Sequence, residues 1–136
     1  MSKRIYVDTN IYIDLFENRS DKLVPWAEFA HQLFERTISC EFEIISSAWI
    51  LKELKKNGYK KQAEELFNKL SKNRKLIYLE VRKHNKKEAR KVKGVHYDDN
   101  LHYVMAKKGK AEIIVTRNWK DFYEFKDIIV LPAEFL

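Results

Sequence analysis

The chain has 136 residues, 45% of them hydrophobic and 13% aromatic, with only three Gly and two Pro, a composition too apolar for a disordered chain and suited to a single helix-rich domain over residues 1–136. No apolar stretch approaches the roughly 20 residues of a membrane span, and none follows Met1-Ser2-Lys3-Arg4 as in a secretory leader, so a cytoplasmic protein with no membrane partner is expected. The net charge of +7 is uneven, since residues 52–93 hold 16 Lys or Arg against 5 Asp or Glu; that segment is either a face for a polyanion or a solvated helical surface.

Arg4-Ile5-Tyr6-Val7 reads as a short buried strand that delivers Asp8 into the turn at Thr9-Asn10. In parallel α/β sheets ligands bind just beyond the carboxyl ends of strands, so an acid there is placed for chemistry. Ile11, Leu15 and Phe16 predict a short amphipathic helix with Asn10 at its N-cap, followed by a turn over Asn18 to Asp21. Pro25 suits the first turn of a second helix carrying Trp26, Phe29, Ala30, Leu33 and Phe34. Cys40, the single cysteine, has no Cys or His at a metal-site spacing and reads as a small packing residue at a helix end, in keeping with a reducing compartment.

Phe42-Glu43-Ile44-Ile45 predicts a second strand, and Ser46-Ser47 can cap a helix with Trp49, Ile50, Leu51 and Leu54 inward, ended by Gly58. Tyr59 to Lys72 continues in helical period through Ala63, Leu66, Phe67 and Leu70. Leu76-Ile77-Tyr78-Leu79 reads as a third strand, and Arg82 to Lys93 as a basic, exposed helix. Residues 98 to 108 carry Leu101, Val104 and Met105 at helical spacing, with Gly109 as the stop. Ile113-Ile114-Val115 is a buried strand, Phe122 and Phe125 anchor a short helical segment, and Ile128 to Leu131 is the last strand. Strands alternating with helices predict a three-layer α/β/α domain around a mainly parallel sheet of four to five strands.

Four segments bring acids or amides to strand ends or to the helices that follow. Asp8 and Asn10 form the first; Glu53, beside the apolar positions Ile50, Leu51 and Leu54, is the second, with Lys52, Lys55 and Lys56 as its local charge partners if it is only a boundary residue. Asp98-Asp99 opens the helix of Leu101 and Val104, and one of the two is free of capping duty. Thr116 to Asp121, directly after a buried strand, supplies Thr116, Asn118 and Asp121. Carboxylates forced together repel unless protonated or neutralised by a cation. Oxygen donors without Cys or a matched His pair favour Mg²⁺ or Mn²⁺ over Zn²⁺. The four histidines, His31, His84, His96 and His102, show no base–nucleophile spacing and read as surface or packing residues, with only a supporting role open to His96 and His102 beside Asp98 and Asp99.

Val7-Asp8-Thr9-Asn10, Ser46 to Leu54 with Glu53, Asp99-x-Leu101 running to Ala106, and Ile114 to Asn118 with Asp121-Phe122, in that order and spacing, resemble a PIN-domain protein of the VapC-like toxin ribonuclease kind. The resemblance spans residues 4–131. It implies a Mg²⁺- or Mn²⁺-dependent endoribonuclease with Asp8, Glu53 and Asp99 as metal ligands, Asn118 and Asp121 as further catalytic residues, and Asn10 and Thr116 in support. It selects Asp99 over Asp98, leaving Asp98 as the helix cap. Many family members carry Asp where this chain has Asn118, a departure that bears on the second metal site. The implied reaction is in-line attack of water on an RNA phosphodiester, with the ion acidifying the water and stabilising transition-state charge, and the implied products carry 5′-phosphate and 3′-hydroxyl ends. The implied partners are a cognate antitoxin whose flexible segment wraps the protein, and a second copy in a homodimer. Two alternatives stand beside it: a PIN fold that binds RNA or protein with weakened catalysis, and a housekeeping RNA-processing nuclease.

Overall fold

The computed structural model describes residues 2–18, 25–92 and 96–136. Five strands, β1 (Lys3–Val7), β2 (Phe42–Ser47), β3 (Leu76–Leu79), β4 (Ile113–Val115) and β5 (Ile129–Leu131), form one sheet in the order β3-β2-β1-β4-β5, and every pairing is parallel. Six helices flank it: α1 (Thr9–Glu17), α2 (Trp26–Ile38), α3 (Ala48–Lys56), α4 (Lys60–Lys72), α5 (Lys83–Lys91) and α6 (Tyr97–Lys108). The expected α/β class holds, with all five strands parallel. The turn expected over Asn18 to Asp21 is described only at Asn18, which caps α1 with φ 52°; its other residues, and Lys93 at the end of the expected basic helix, lie outside the described residues.

β1 is the central strand, and its Ile5, Tyr6 and Val7 are fully buried. Such continuous burial suits a strand covered on both faces, and each large apolar side chain removed from water contributes about 2–3 kcal/mol. Alternation along the strand sends Tyr6 to one face, where its ring meets His102 of α6, and Ile5 and Val7 to the other. Among the helices, Tyr12 of α1 packs its ring against Phe34 of α2 and Phe67 of α4.

Gly109 stops α6 for a reason other than backbone freedom. Its φ is −81°, in the right-handed region, while the left-handed turn falls on Lys110 with φ 60°. A Cβ at Gly109 would stand 2.6 Å from Ile45 Cγ2, so glycine is required by the close approach of α6 to β2. Cys40 departs from its expected packing role: it lies at the end of α2 but is exposed, with a left-handed φ of 73°.

The sheet order places β1 where the topology reverses. From β1 the chain builds outward through β2 and β3 on one side, then returns to build β4 and β5 on the other. The carboxyl end of β1 therefore opens at a switch point, where the connections leaving β1 and β4 diverge and a crevice forms. Val7 pairs in register with Val115, which sets Asp8 beside Thr116 at this edge.

Candidate active site

Asp8 follows β1 directly and is 6% exposed. It occupies the N-cap of α1, accepting from Thr9 N at 2.7 Å through Oδ1, so the cap is Asp8 and not Asn10. Its Oδ2 accepts from the Thr116 hydroxyl at 2.7 Å and from Asn10 Nδ2 at 3.4 Å. Asn10 also donates to Thr116 Oγ1 at 3.3 Å and accepts from Arg117 N at 3.3 Å. Asn10 thus bridges the turns after β1 and β4 and steadies the carboxylate between them.

Glu53 enters from α3, whose N-cap is Ser47, accepting from Ile50 N at 3.3 Å. The side chain of Glu53 turns to the switch point, where Oε1 accepts from Thr9 Oγ1 at 2.7 Å and lies 2.8 Å from His102 Nε2. The neighbouring lysines are not its principal partners. Burial alone would raise its carboxyl, and the hydrogen bond and charge of His102, with the Thr9 hydroxyl, outweigh burial and hold it below the usual glutamate range.

His102, for which the sequence left only a supporting role open, stands among the acids. It is 2% exposed, with Nε2 also 3.5 Å from Asp8 Oδ1 and Nδ1 2.8 Å from the Tyr6 hydroxyl. Burial alone would lower its imidazole; Asp8, Glu53 and Asp99 together more than reverse this and raise it. The available signal was its spacing, three residues after Asp99, which puts both on one face of a helix. His31, His84 and His96 are exposed.

Asp99 lies in the first turn of α6 and is half-buried. Burial first, then the charges of Asp8 and Asp121, against the opposing pull of His102, raise its carboxyl from 3.8 to about 6. Asp98 is exposed and sits inside the same turn. It does not cap: the N-cap is His96, with no side-chain cap bond, and Asp98 instead has the favourable placement of an acid in the first turn. The start of α6 is pinned to α5 by Asn100 Nδ2, which donates to Ala89 O at 3.1 Å.

Asn118 donates its backbone N–H to Thr116 Oγ1 at 3.0 Å and precedes a 3₁₀ turn, Trp119–Phe122, that carries Asp121. Asp121 is exposed and reaches the site through its charge on Asp99. The segment is held from two sides. Arg117 Nε lies 3.0 Å from Asp14 Oδ2 of α1, with its guanidinium over the Trp26 ring. Phe122 is fully buried, and its ring meets Phe125, which in turn stacks on Tyr103 of α6 at 4.1 Å.

The structure therefore joins Asp8, Asn10, Thr116 and the backbone of Asn118 by hydrogen bonds, links Glu53 to Asp8 through Thr9 and His102, and sets Asp99 within electrostatic reach of Asp8, His102 and Asp121. Among the described residues, no three His, Cys, Asp or Glu side chains stand together as a ready metal cage. The donors present are carboxylate and hydroxyl oxygens, and the carboxyl of Asp99 is raised by burial first and then by the charge of Asp8.

The sequence profile described as the PIN domain matches residues 4–120. No curated protein matches the chain. Among solved structures, VapBC2 from Rickettsia felis, bound to a DNA fragment from its promoter, has a TM-score of 0.63 at 18% identity, covering 93% of this chain and 96% of that one. DNA-bound VapBC from Salmonella typhimurium gives 0.62 at 20% identity, covering 98% and 99%. VapC20 from Mycobacterium tuberculosis, a sarcin–ricin loop cleaving toxin, gives 0.56 at 15% identity, covering 81% and 86%. At these identities the likeness is one of fold.

Proposed function

Since the chain belongs to the PIN domain family, we propose that it is a divalent-metal-dependent endoribonuclease and the toxin of a toxin–antitoxin pair. The observation that carries this reading is the convergence of Asp8, Glu53 and Asp99 at the topological switch point, with the carboxyl of Asp99 raised to about 6 by burial and by its acidic neighbours. The fold it shares with VapBC complexes and with a toxin that cleaves the sarcin–ricin loop supports it.

The donor chemistry fits a hard divalent cation. Mg²⁺ and Mn²⁺ take oxygen ligands, and Mg²⁺ keeps several of its waters, needing only one or two carboxylates directly. Asp8, Asp99 and Glu53 would hold it, in part through waters. When bound, the ion supplies charge neutralisation at the phosphodiester and an acidified water. The residues of the chain do the rest. Thr116, Asn10 and the Thr9 N–H fix the carboxylate of Asp8, and Thr9 with His102 fixes that of Glu53. Asp99 or Asp121 would orient the attacking water. Water adds to phosphorus in line with the departing 3′ oxygen, which takes up a proton, so cleavage leaves 5′-phosphate and 3′-hydroxyl ends. The exposed cations of α4 and α5, Lys60, Lys61, Lys69, Lys72, Lys83, Lys86, Lys87, Arg90 and Lys91, give a field that attracts RNA. The partners proposed are a cognate antitoxin and a second copy of the chain.

Asn118 favours a second reading. An amide in place of a rim acid lowers the charge available for a second ion, and a domain weakened in this way would bind RNA without cutting it. The two readings separate on one variant. Asp8→Asn should reduce Mn²⁺-dependent cleavage of single-stranded RNA by about 10²-fold or more, the scale of loss for an electrostatic catalytic group. Cleavage undiminished in Asp8→Asn rejects the assignment of the site, and a wild-type protein that binds RNA yet neither binds Mn²⁺ nor cuts supports the binding module.

A further inference from the structure

A chain of buried polar groups joins the elements that deliver the three acids. Ser47, the N-cap of α3, has its Oγ 3.1 Å from the Tyr6 hydroxyl on β1, the Tyr6 hydroxyl is 2.8 Å from His102 Nδ1 on α6, and His102 Nε2 is 2.8 Å from Glu53 Oε1 on α3. The path starts at Ser47, the last residue of β2 and the cap of α3, and ends on α3, passing through β1, which carries Asp8 at its end, and α6, which carries Asp99. Tyr6 is fully buried, Ser47 likewise, and His102 is 2% exposed. Buried hydroxyls and imidazoles are costly unless bonded, and a network satisfied along its length is rigid.

We infer that His102, set by Tyr6, is the positioning residue that fixes Glu53 for metal binding, an inference that rests on the nuclease reading. Glu53 Oε1 already accepts from the Thr9 hydroxyl and lies 2.8 Å from His102 Nε2, a spacing at which the ring nitrogen donates and the carboxylate oxygen accepts. The other nitrogen, Nδ1, is engaged by Tyr6. With both nitrogens taken and the ring packed between Tyr6 and Trp49, His102 acts through Glu53 and is not itself a ligand. Its bond goes to Oε1, the oxygen that Thr9 also uses, so that Oε2 is the oxygen a cation would take. Partners of this kind orient a ligand carboxylate and typically carry about 10–100-fold in metal affinity or activity.

Three variants test it: Tyr6→Phe, which removes one hydroxyl and keeps the ring; His102→Leu, which removes both bonds; and His102→Gln, which restores a donor toward Glu53. Mn²⁺ affinity is measured by calorimetry on each folded protein without RNA, and kcat and KM are measured on a single-stranded RNA. The expected result is a loss of about 10-fold in Mn²⁺ affinity for Tyr6→Phe and up to about 100-fold for His102→Leu. KM for RNA should be unchanged in both, and His102→Gln should recover part of the loss. Where His102→Leu does not fold, Tyr6→Phe carries the test. A folded Tyr6→Phe with wild-type Mn²⁺ affinity overturns the inference alone, as does a loss that falls on KM. A wild-type protein that binds no Mn²⁺ overturns the nuclease reading and the inference with it.

Discussion

At the scale of single residues, the site stores electrostatic cost that the chain would be more stable without. The carboxyl of Asp99 rises from 3.8 to about 6, so between those values the folded protein holds a proton that the unfolded chain releases, and stability falls as pH rises across that range. His102, raised above 6.5, stabilises fully below its unfolded value and loses that contribution as pH rises through its folded one. Glu53, lowered below 4.5, contributes above that value and loses its contribution only in stronger acid. Asp99 and His102 both make the metal-free protein more stable near pH 5 than near pH 8, while Glu53 contributes nearly equally at the two. Asp99→Asn should therefore raise the thermal midpoint at pH 7 while removing cleavage. The undiscounted shift corresponds to roughly 3 kcal/mol, and screening of a half-exposed group reduces it to about 1 kcal/mol, or about 3 °C. A lower midpoint in the variant, read by calorimetry in chelator, would contradict this. Asp8 was legible in the sequence because the apolar run Ile5-Tyr6-Val7 ended on it. His102 was less so, because its spacing from Asp99 gives only a shared helix face, while its bonding partners Tyr6 and Glu53 lie on β1 and α3.

At the scale of elements, the turns after β1 and β4 act as one unit, and the buried pair of Asp14 and Arg117 ties them together. Asp14 is 1% exposed, and Arg117 Nε reaches it at 3.0 Å. Asp14 has further contacts and the Arg117 side chain is 26% exposed, so removing the guanidinium costs more than losing a surface pair and less than breaking a fully buried one. Arg117→Ala should lower stability by about 1–2 kcal/mol, measured as a shift in the urea midpoint at unchanged slope, and should also loosen the segment bearing Asn118 and Asp121. A loss below about 0.5 kcal/mol, the scale of a surface pair, would contradict it. Apolar periodicity located most elements within a residue or two: α3 was expected from Ser46-Ser47 and is capped by Ser47, and β4 covers Ile113–Val115 as expected. What periodicity leaves out is contact between elements. Gly109 read as an ordinary helix stop, yet its requirement comes from Ile45 on a strand more than sixty residues earlier, and the sequence around it carries no trace of that approach. Cys40 and Asp98 failed for a related reason, since solvent exposure and the choice of helix cap are decided by the turn geometry that surrounds them.

At the scale of the whole molecule, strand order is the property that makes a site. A parallel sheet that grows outward from β1 on both sides brings the ends of β1 and β4 together, and α3 and α6 supply their acids to the same crevice. The expectation of an α/β sheet followed from strands alternating with helices; the order β3-β2-β1-β4-β5 did not, because nothing in a single sequence says on which side the fourth strand returns. No helix among the described residues is long and apolar enough to cross a membrane, and the Lys and Arg of α4 and α5 are exposed to solvent. The central claim, that this crevice binds a divalent ion through Asp8, Glu53 and Asp99, is tested most directly by anomalous diffraction from crystals soaked in Mn²⁺. The expected result is a peak about 2.1 Å from a carboxylate oxygen of Asp8 or Asp99, with Glu53 ligating directly or through a water. An empty crevice, or a peak held by other residues, would contradict it.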